Sequence, residues 1–102
     1  MKAGTKAIFA NKSYGLYYGE LVEHDPDREI ALVKNCRQVC RWFGREGGIT
    51  SLAAHGLCGS RAGESRVGAA TTEPSMLSGI VNIFPCSPGA AETIENAGAK
   101  NE

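Results

Sequence analysis

Between residues 36 and 51 the chain gathers guanidinium groups, aromatic rings and glycines in an order suited to holding an anion. If Cys36 to Phe43 is a strand, alternation puts Arg37, Val39, Arg41 and Phe43 on one face, with Cys36, Gln38, Cys40 and Trp42 on the other. A guanidinium fork matches the oxygens of a phosphate, and an aromatic face stacks on a base. Gly44-Arg45-Glu46-Gly47-Gly48 then leads towards a short helix carrying Thr50, Ser51 and His55. Backbone N–H groups at such a turn can cradle an anion. Arg37, Arg41, Trp42, Phe43, Gly44, Arg45, Thr50, Ser51 and His55 are therefore the candidate ligand-binding residues, with Arg61 and Arg66 as further charge from the loops. The plainer reading of the same letters is a solvated sheet face with a glycine turn joining strand to helix. No Gly-Lys-Ser/Thr follows the glycines, so this is not a Walker loop, and it is not a dinucleotide fingerprint either.

Other chemistries have less behind them. Cys36, Cys40, Cys58 and Cys86 lack the CxxC spacing of a zinc knuckle. On one strand, Cys36 and Cys40 stand about 13 Å apart, whereas each zinc ligand must lie within about 2.3 Å of the ion. Buried free thiols are the expectation, with no metal and no cofactor. Asp25 and Asp27 fall in a turn, where carboxylates are usually solvated, as is His24 beside them. No serine or cysteine nucleophile occupies a recognised elbow, so no catalytic residue is assigned. The one enzymatic alternative is a hydrolase of a nucleotide signal with His55 as its base.

These groups need a scaffold, and the sequence outlines one. Lys6 to Ala10 is a short apolar strand closed by Asn11-Lys12-Ser13, and Leu16 to Glu23 is rich in residues that suit a pleated surface. His24 to Arg28 forms a turn, in which Pro26 presets φ and the aspartates bond nearby backbone. Glu29 to Lys34 returns as a strand, Asn35 is a turn or bulge residue, and Cys36 to Phe43 continues. Thr50 or Ser51 caps a helix ended by Gly56. Leu57 to Pro74 shows no periodicity and reads as a long loop. Ile80 to Phe84 is the last strand, and Ser87-Pro88 opens a helix through Ala97. The expected fold is α+β and mainly β, a small antiparallel meander or partly closed barrel with two short helices. Residues 1–98 form one domain and 99–102 a frayed tail.

The 102 residues carry 11 basic and 11 acidic side chains, for a formal net charge of zero. That balance argues against broad capture of duplex nucleic acid and does little to oppose self-association, so a homo-oligomer is expected. No apolar run resembles a signal peptide or a bilayer span, which leaves the cytoplasm as the expected compartment, with reduced thiols and no membrane partner.

Tyr14-Gly15-Leu16-Tyr17-Tyr18-Gly19-Glu20-Leu21, Lys34-Asn35-Cys36-Arg37, Trp42-Phe43-Gly44, Ser51-Leu52-Ala53 and Ile83-Phe84-Pro85-Cys86-Ser87 together resemble a family of short uncharacterised proteins of tailed bacteriophages and prophages. The resemblance implies an accessory phage protein acting in the bacterial host cytoplasm. Joined to the arginine face, it suggests a sponge that sequesters a nucleotide-derived host immune signal without turning it over. The alternative is a small β-barrel adaptor for a host protein or nucleic acid.

Overall fold

The computed structural model describes residues 1–13 and 15–99. Six strands and two helices follow one another as β1 (Lys6–Asn11), β2 (Leu16–Asp25), β3 (Ile30–Arg41), α1 (Ile49–His55), β4 (Arg66–Val67), β5 (Ser75–Leu77), β6 (Ile80–Pro85) and α2 (Pro88–Glu95). All strand pairings are antiparallel. The meander β1–β2–β3 forms the centre, β6 adds to β1, and β4 and β5 share the edge of β3 that β2 leaves free. The sheet is open, because β5 and β6 follow each other in the chain without pairing. The fold is thus α+β and mainly β, as the strand pattern implies.

Two bulges decide which side chains meet. Tyr18 pairs Arg37 and Glu20 pairs Lys34, so Asn35 and Cys36 both stand against Gly19. Asn35 takes a left-handed conformation, φ 52°, that asparagine tolerates better than most residues. A Cβ on Gly19 would lie 2.3 Å from Val33 Cγ1 and 3.0 Å from the Lys34 carbonyl oxygen, so only glycine fits opposite the bulge. The second shift, between Leu21 and Glu23, puts the extra residue on β2. What reads from sequence as two strands around Asn35 is therefore one strand of 12 residues, whose inward positions change face partway.

Each face of the sheet carries its own apolar cluster. Ile8, Tyr18, Val39 and Val67 pack under the helices against Leu52, Ala53, Ala91 and Ile94. On the reverse face, Ala7, Phe9, Leu21, Ala31, Val33, Cys36 and Ile80 gather inside the curl of the sheet, flanked by Leu77 and Ile83. Phe9, Ile8 and Ala7 are fully buried in sequence order, so β1 is apolar on both sides.

The helices meet closely at Gly56, which ends α1 at φ 72°. A Cβ there would stand 2.2 Å from Thr93 Oγ1 and 2.8 Å from Ala90 Cα. Ser87 caps α2 as its position before Pro88 implies: its Oγ accepts the Ala90 N–H at 3.1 Å and donates to the Ala54 carbonyl at 2.8 Å. At α1 the expectation is corrected. Gly48 is the N-cap and no side chain caps it, while Thr50 lies inside the first turn and donates to the Gly47 carbonyl at 3.3 Å.

The segment from Leu57 to Pro74 is also more ordered than its composition implies. It holds a 3₁₀ turn at Ala62–Glu64 and the strand β4, and backbone bonds tie it to β3: Gly68 N–H to Gln38 and Thr71 N–H to Cys36, both at 2.9 Å. Helix α2 stops at Glu95, two residues short of the expected end. Ala99 bridges to Val67, and the rest of the tail, 100–102, lies outside the described residues.

Candidate functional site

Arg37 and Arg41 lie on one strand, yet the structure gives them different surroundings. Past the bulge, Arg37 turns under the helices and is only 6% exposed. Its Nε donates to the Gly68 carbonyl at 2.6 Å. Nη1 donates to Ile94 at 2.8 Å and Glu95 at 3.3 Å, and Nη2 to Val67 at 3.4 Å. Two of those acceptors are carbonyls of the last turn of α2, at the negative end of its dipole, and that of Ile94 also accepts the Ala97 N–H at 3.2 Å. The expectation that Arg37 stands beside Arg41 on an exposed face is corrected here. The Asn35 bulge puts Arg37 and Val39 on the side the helices cover, and a further register shift between Val39 and Arg41 breaks the alternation before Arg41. Burial pulls the pKa of Arg37 down from its usual value, and the carbonyls replace the water it has lost.

Arg41 ends β3 in the open, and Phe43 follows it half-buried. The position of Phe43 is set by main-chain bonds: its N–H donates to Ser65 Oγ at 3.0 Å and its carbonyl accepts the Cys58 N–H at 3.3 Å. The Arg61 guanidinium lies 4.0 Å from the centre of the Phe43 ring, with that of Arg41 at 6.0 Å. Arg66 pairs across from Arg41 in the β3–β4 register, adding a further guanidinium side chain to the same end of the sheet. Glu64 faces this group and takes the fork of Arg61, with Nε to Oε2 at 3.0 Å and Nη2 to Oε1 at 3.1 Å. The Arg61 hydrogen bonds hold the Glu64 carboxyl below its usual pKa, and the charge of Arg41 adds to the effect.

Of the remaining predicted residues, Trp42 is half-buried and packs on the helix-side cluster, so its ring serves the core. Gly44 and Arg45 lie exposed at the start of the glycine loop. Thr50 is exposed and Ser51 half-buried in α1, and His55 is exposed at its end. Arg41 and Phe43 are thus brought together with Arg61, which the sequence offered only as loop charge. Alternation along β3 could not reveal Arg61 or Glu64, because both arrive through the fold of the 57–74 segment.

A second polar constellation was not foreseen. Lys6, Tyr18, Glu20, Asn35, Arg37, Ala70 and Glu95 line a cavity of about 310 Å³ on the helix side. Tyr18 is 2% exposed, and its hydroxyl donates to Glu95 Oε2 at 2.5 Å, an oxygen that Lys6 Nζ also reaches at 3.0 Å. Burial first, then the Glu95 carboxylate, push the Tyr18 pKa up, so the phenol stays protonated. The Tyr18 hydroxyl and Lys6 hold Glu95 below its usual range. Phenol, carboxylate and ammonium thereby satisfy one another. A wider depression of about 440 Å³, bordered by Met1, His24, Glu29 and Ile83, lies near the β2–β3 turn, and its carboxylate is paired with Lys12 at 2.9 Å.

The thiols are poor nucleophiles where they are buried. Burial pushes Cys86 up to about 11 and raises Cys36 as well, so both remain thiols at neutral pH. Among the described residues no three His, Cys, Asp or Glu side chains stand together as metal ligands. No helix among them is long and apolar enough to cross a membrane.

A family model described as a domain of unknown function (DUF6948) matches residues 4–94, and the chain belongs to that family. No curated protein and no solved structure matches it.

Proposed function

We propose that this DUF6948 member captures a nucleotide-type ligand without turnover, at the arginine–phenylalanine face where β3 ends. The observation that supports this reading is the Phe43 ring, flanked by Arg61 at 4.0 Å and Arg41 at 6.0 Å. An aromatic plane layered with guanidinium planes is a stacking surface for a base, and the same guanidinium groups are forks for phosphate oxygens. Arg45 is exposed two residues beyond Phe43, while Arg37 holds the scaffold on the helix side. Capture is favoured over hydrolysis because a hydrolase also needs an activated nucleophile or base beside the ligand. Among the described residues the carboxylate beside Phe43, Glu64, bonds Arg61 and not a nucleophile.

The resemblance to tailed-phage proteins extends the proposal to biology. In that setting the protein is an accessory sponge for a nucleotide-derived immune signal in the host cytoplasm, acting as a homo-oligomer.

A thermal-shift panel of cyclic dinucleotides, cyclic ADP-ribose isomers and linear nucleotides tests the reading. A ligand at about 100 times its Kd adds roughly 2.7 kcal/mol to stability. For a domain of this size that raises Tm on the order of 10 °C. We expect one nucleotide class to produce the shift, Arg61→Ala to cut it to roughly half, and the ligand to be recovered intact. A flat panel overturns the proposal and redirects attention to a protein partner; a degraded ligand replaces capture with hydrolysis.

A further inference from the structure

We propose that Glu64 is a resident competitor for the anion position at Arg61, which lowers the affinity of every anion that docks there. The inference rests on the reading of the Phe43 face as an anion-binding surface. Its own observation is the bidentate pair, in which Glu64 offers Oε2 to Arg61 Nε at 3.0 Å and Oε1 to Nη2 at 3.1 Å. Two carboxylate oxygens on one guanidinium edge reproduce the geometry in which a phosphate would dock. The carboxylate also feels the charge of Arg41, the other cation flanking Phe43.

The pair is built to open. Arg61 and Glu64 are 60% and 55% exposed, so water screens their attraction. The turn that carries them does not depend on the side-chain contact. It is closed by backbone bonds from Ala62 to Gly59 at 3.2 Å, from Glu64 to Arg61 at 2.9 Å and from Ser65 to Ala62 at 3.1 Å. Glu64 can swing out while its backbone stays in place. A carboxylate tethered three residues away has a high effective concentration, so any anion that docks on Arg61 must first displace it.

The test is a titration with sodium pyrophosphate and with sodium acetate, followed at the Arg61 Nε–H signal by NMR, for wild type, Glu64→Gln and Glu46→Gln. Glu46 is exposed on the neighbouring glycine loop and its removal changes net charge by the same amount. We expect pyrophosphate to perturb the wild-type signal, and Glu64→Gln to tighten its binding about threefold to fivefold, the range of an exposed pair. Glu46→Gln should change affinity less than twofold, and acetate should gain in Glu64→Gln by the same factor as pyrophosphate. Equal gains in the two variants overturn the inference, since they report long-range charge alone. Wild-type binding that Glu64→Gln leaves unaltered overturns it while the capture reading stands. Silence at Arg61 in both wild type and Glu64→Gln removes the anion surface, and the competitor with it.

Discussion

Arg37 and Arg61 are both guanidinium groups near one edge of one sheet, and they have opposite relations to solvent. Arg37 is buried and spends its donors on main-chain carbonyls from residues 67, 68, 94 and 95. Arg61 is exposed, stacked on Phe43 and held by one side chain that lies three residues along the chain. The first joins elements far apart in sequence, and the second decorates a turn. An arginine acts as scaffold when its acceptors are fixed carbonyls that water cannot replace. It stays available to a ligand when its acceptor is a screened carboxylate that can leave.

The sharpest way to break this contrast is Arg37→Ala. It strands buried carbonyls, each worth about 1–3 kcal/mol when unpaired, and we expect urea unfolding to show a loss of about 3 kcal/mol or more. A variant that unfolds at the wild-type midpoint would make Arg37 a spare group and revive it as a ligand contact. Gly19→Ala probes the cause of the burial. Its new methyl meets Val33 and the Lys34 carbonyl, so a loss of about 2 kcal/mol is expected in the same assay. If Gly19→Ala is neutral, the β3 bulge is not fixed by steric fit.

Arg61→Ala should leave the unfolding midpoint where it is and weaken binding of the selected nucleotide about tenfold, measured by calorimetry. Failure on the first count would make Arg61 a scaffold residue and dissolve the comparison. The smallest effect concerns Glu95, whose main chain serves Arg37 and whose carboxylate serves Tyr18 and Lys6. Its pKa is depressed in the folded state. The stability it contributes is therefore full above the ordinary carboxylate value and is lost as pH falls through the lowered one. Glu95→Gln should flatten the fall in Tm at the acid end, and superimposable acid limbs in the two proteins would deny Glu95 that contribution.

Much of the scaffold was legible. The β2–β3 turn around Pro26, the apolar β1 and β6, and the Ser87-Pro88 start of α2 follow from local propensities that tertiary contacts do not oppose. The site was less legible, because counting by two from Cys36 keeps Arg37 with Arg41, whereas a register shift between Val39 and Arg41 breaks that count and the helices cover only the first of them. Asn35 was visible as a turn or bulge residue. What was missing was its consequence for Arg37. Arg61 was named only as loop charge and Glu64 not at all, for another reason: the 57–74 segment is held by backbone bonds to β3, which leave no hydrophobic period to read. The short β5 went unseen for the same reason, as its three residues offer too little pattern. The Tyr18–Glu95 contact spans 77 positions, and nothing local at either end announces the other.

The clamp around Arg37 also sets an order of events during synthesis. Every strand of the sheet precedes residue 88, yet two of the carbonyls that receive this guanidinium belong to residues 94 and 95. A nascent chain that has exposed β1 to β6 to solvent carries a guanidinium with only the Val67 and Gly68 carbonyls to receive it, on the surface where α2 will lie. Completion of the sheet thus waits for the last turn of the last helix to leave the ribosome, and a truncation ending before Pro88 should be recovered as protease-sensitive chain although it retains all six strands.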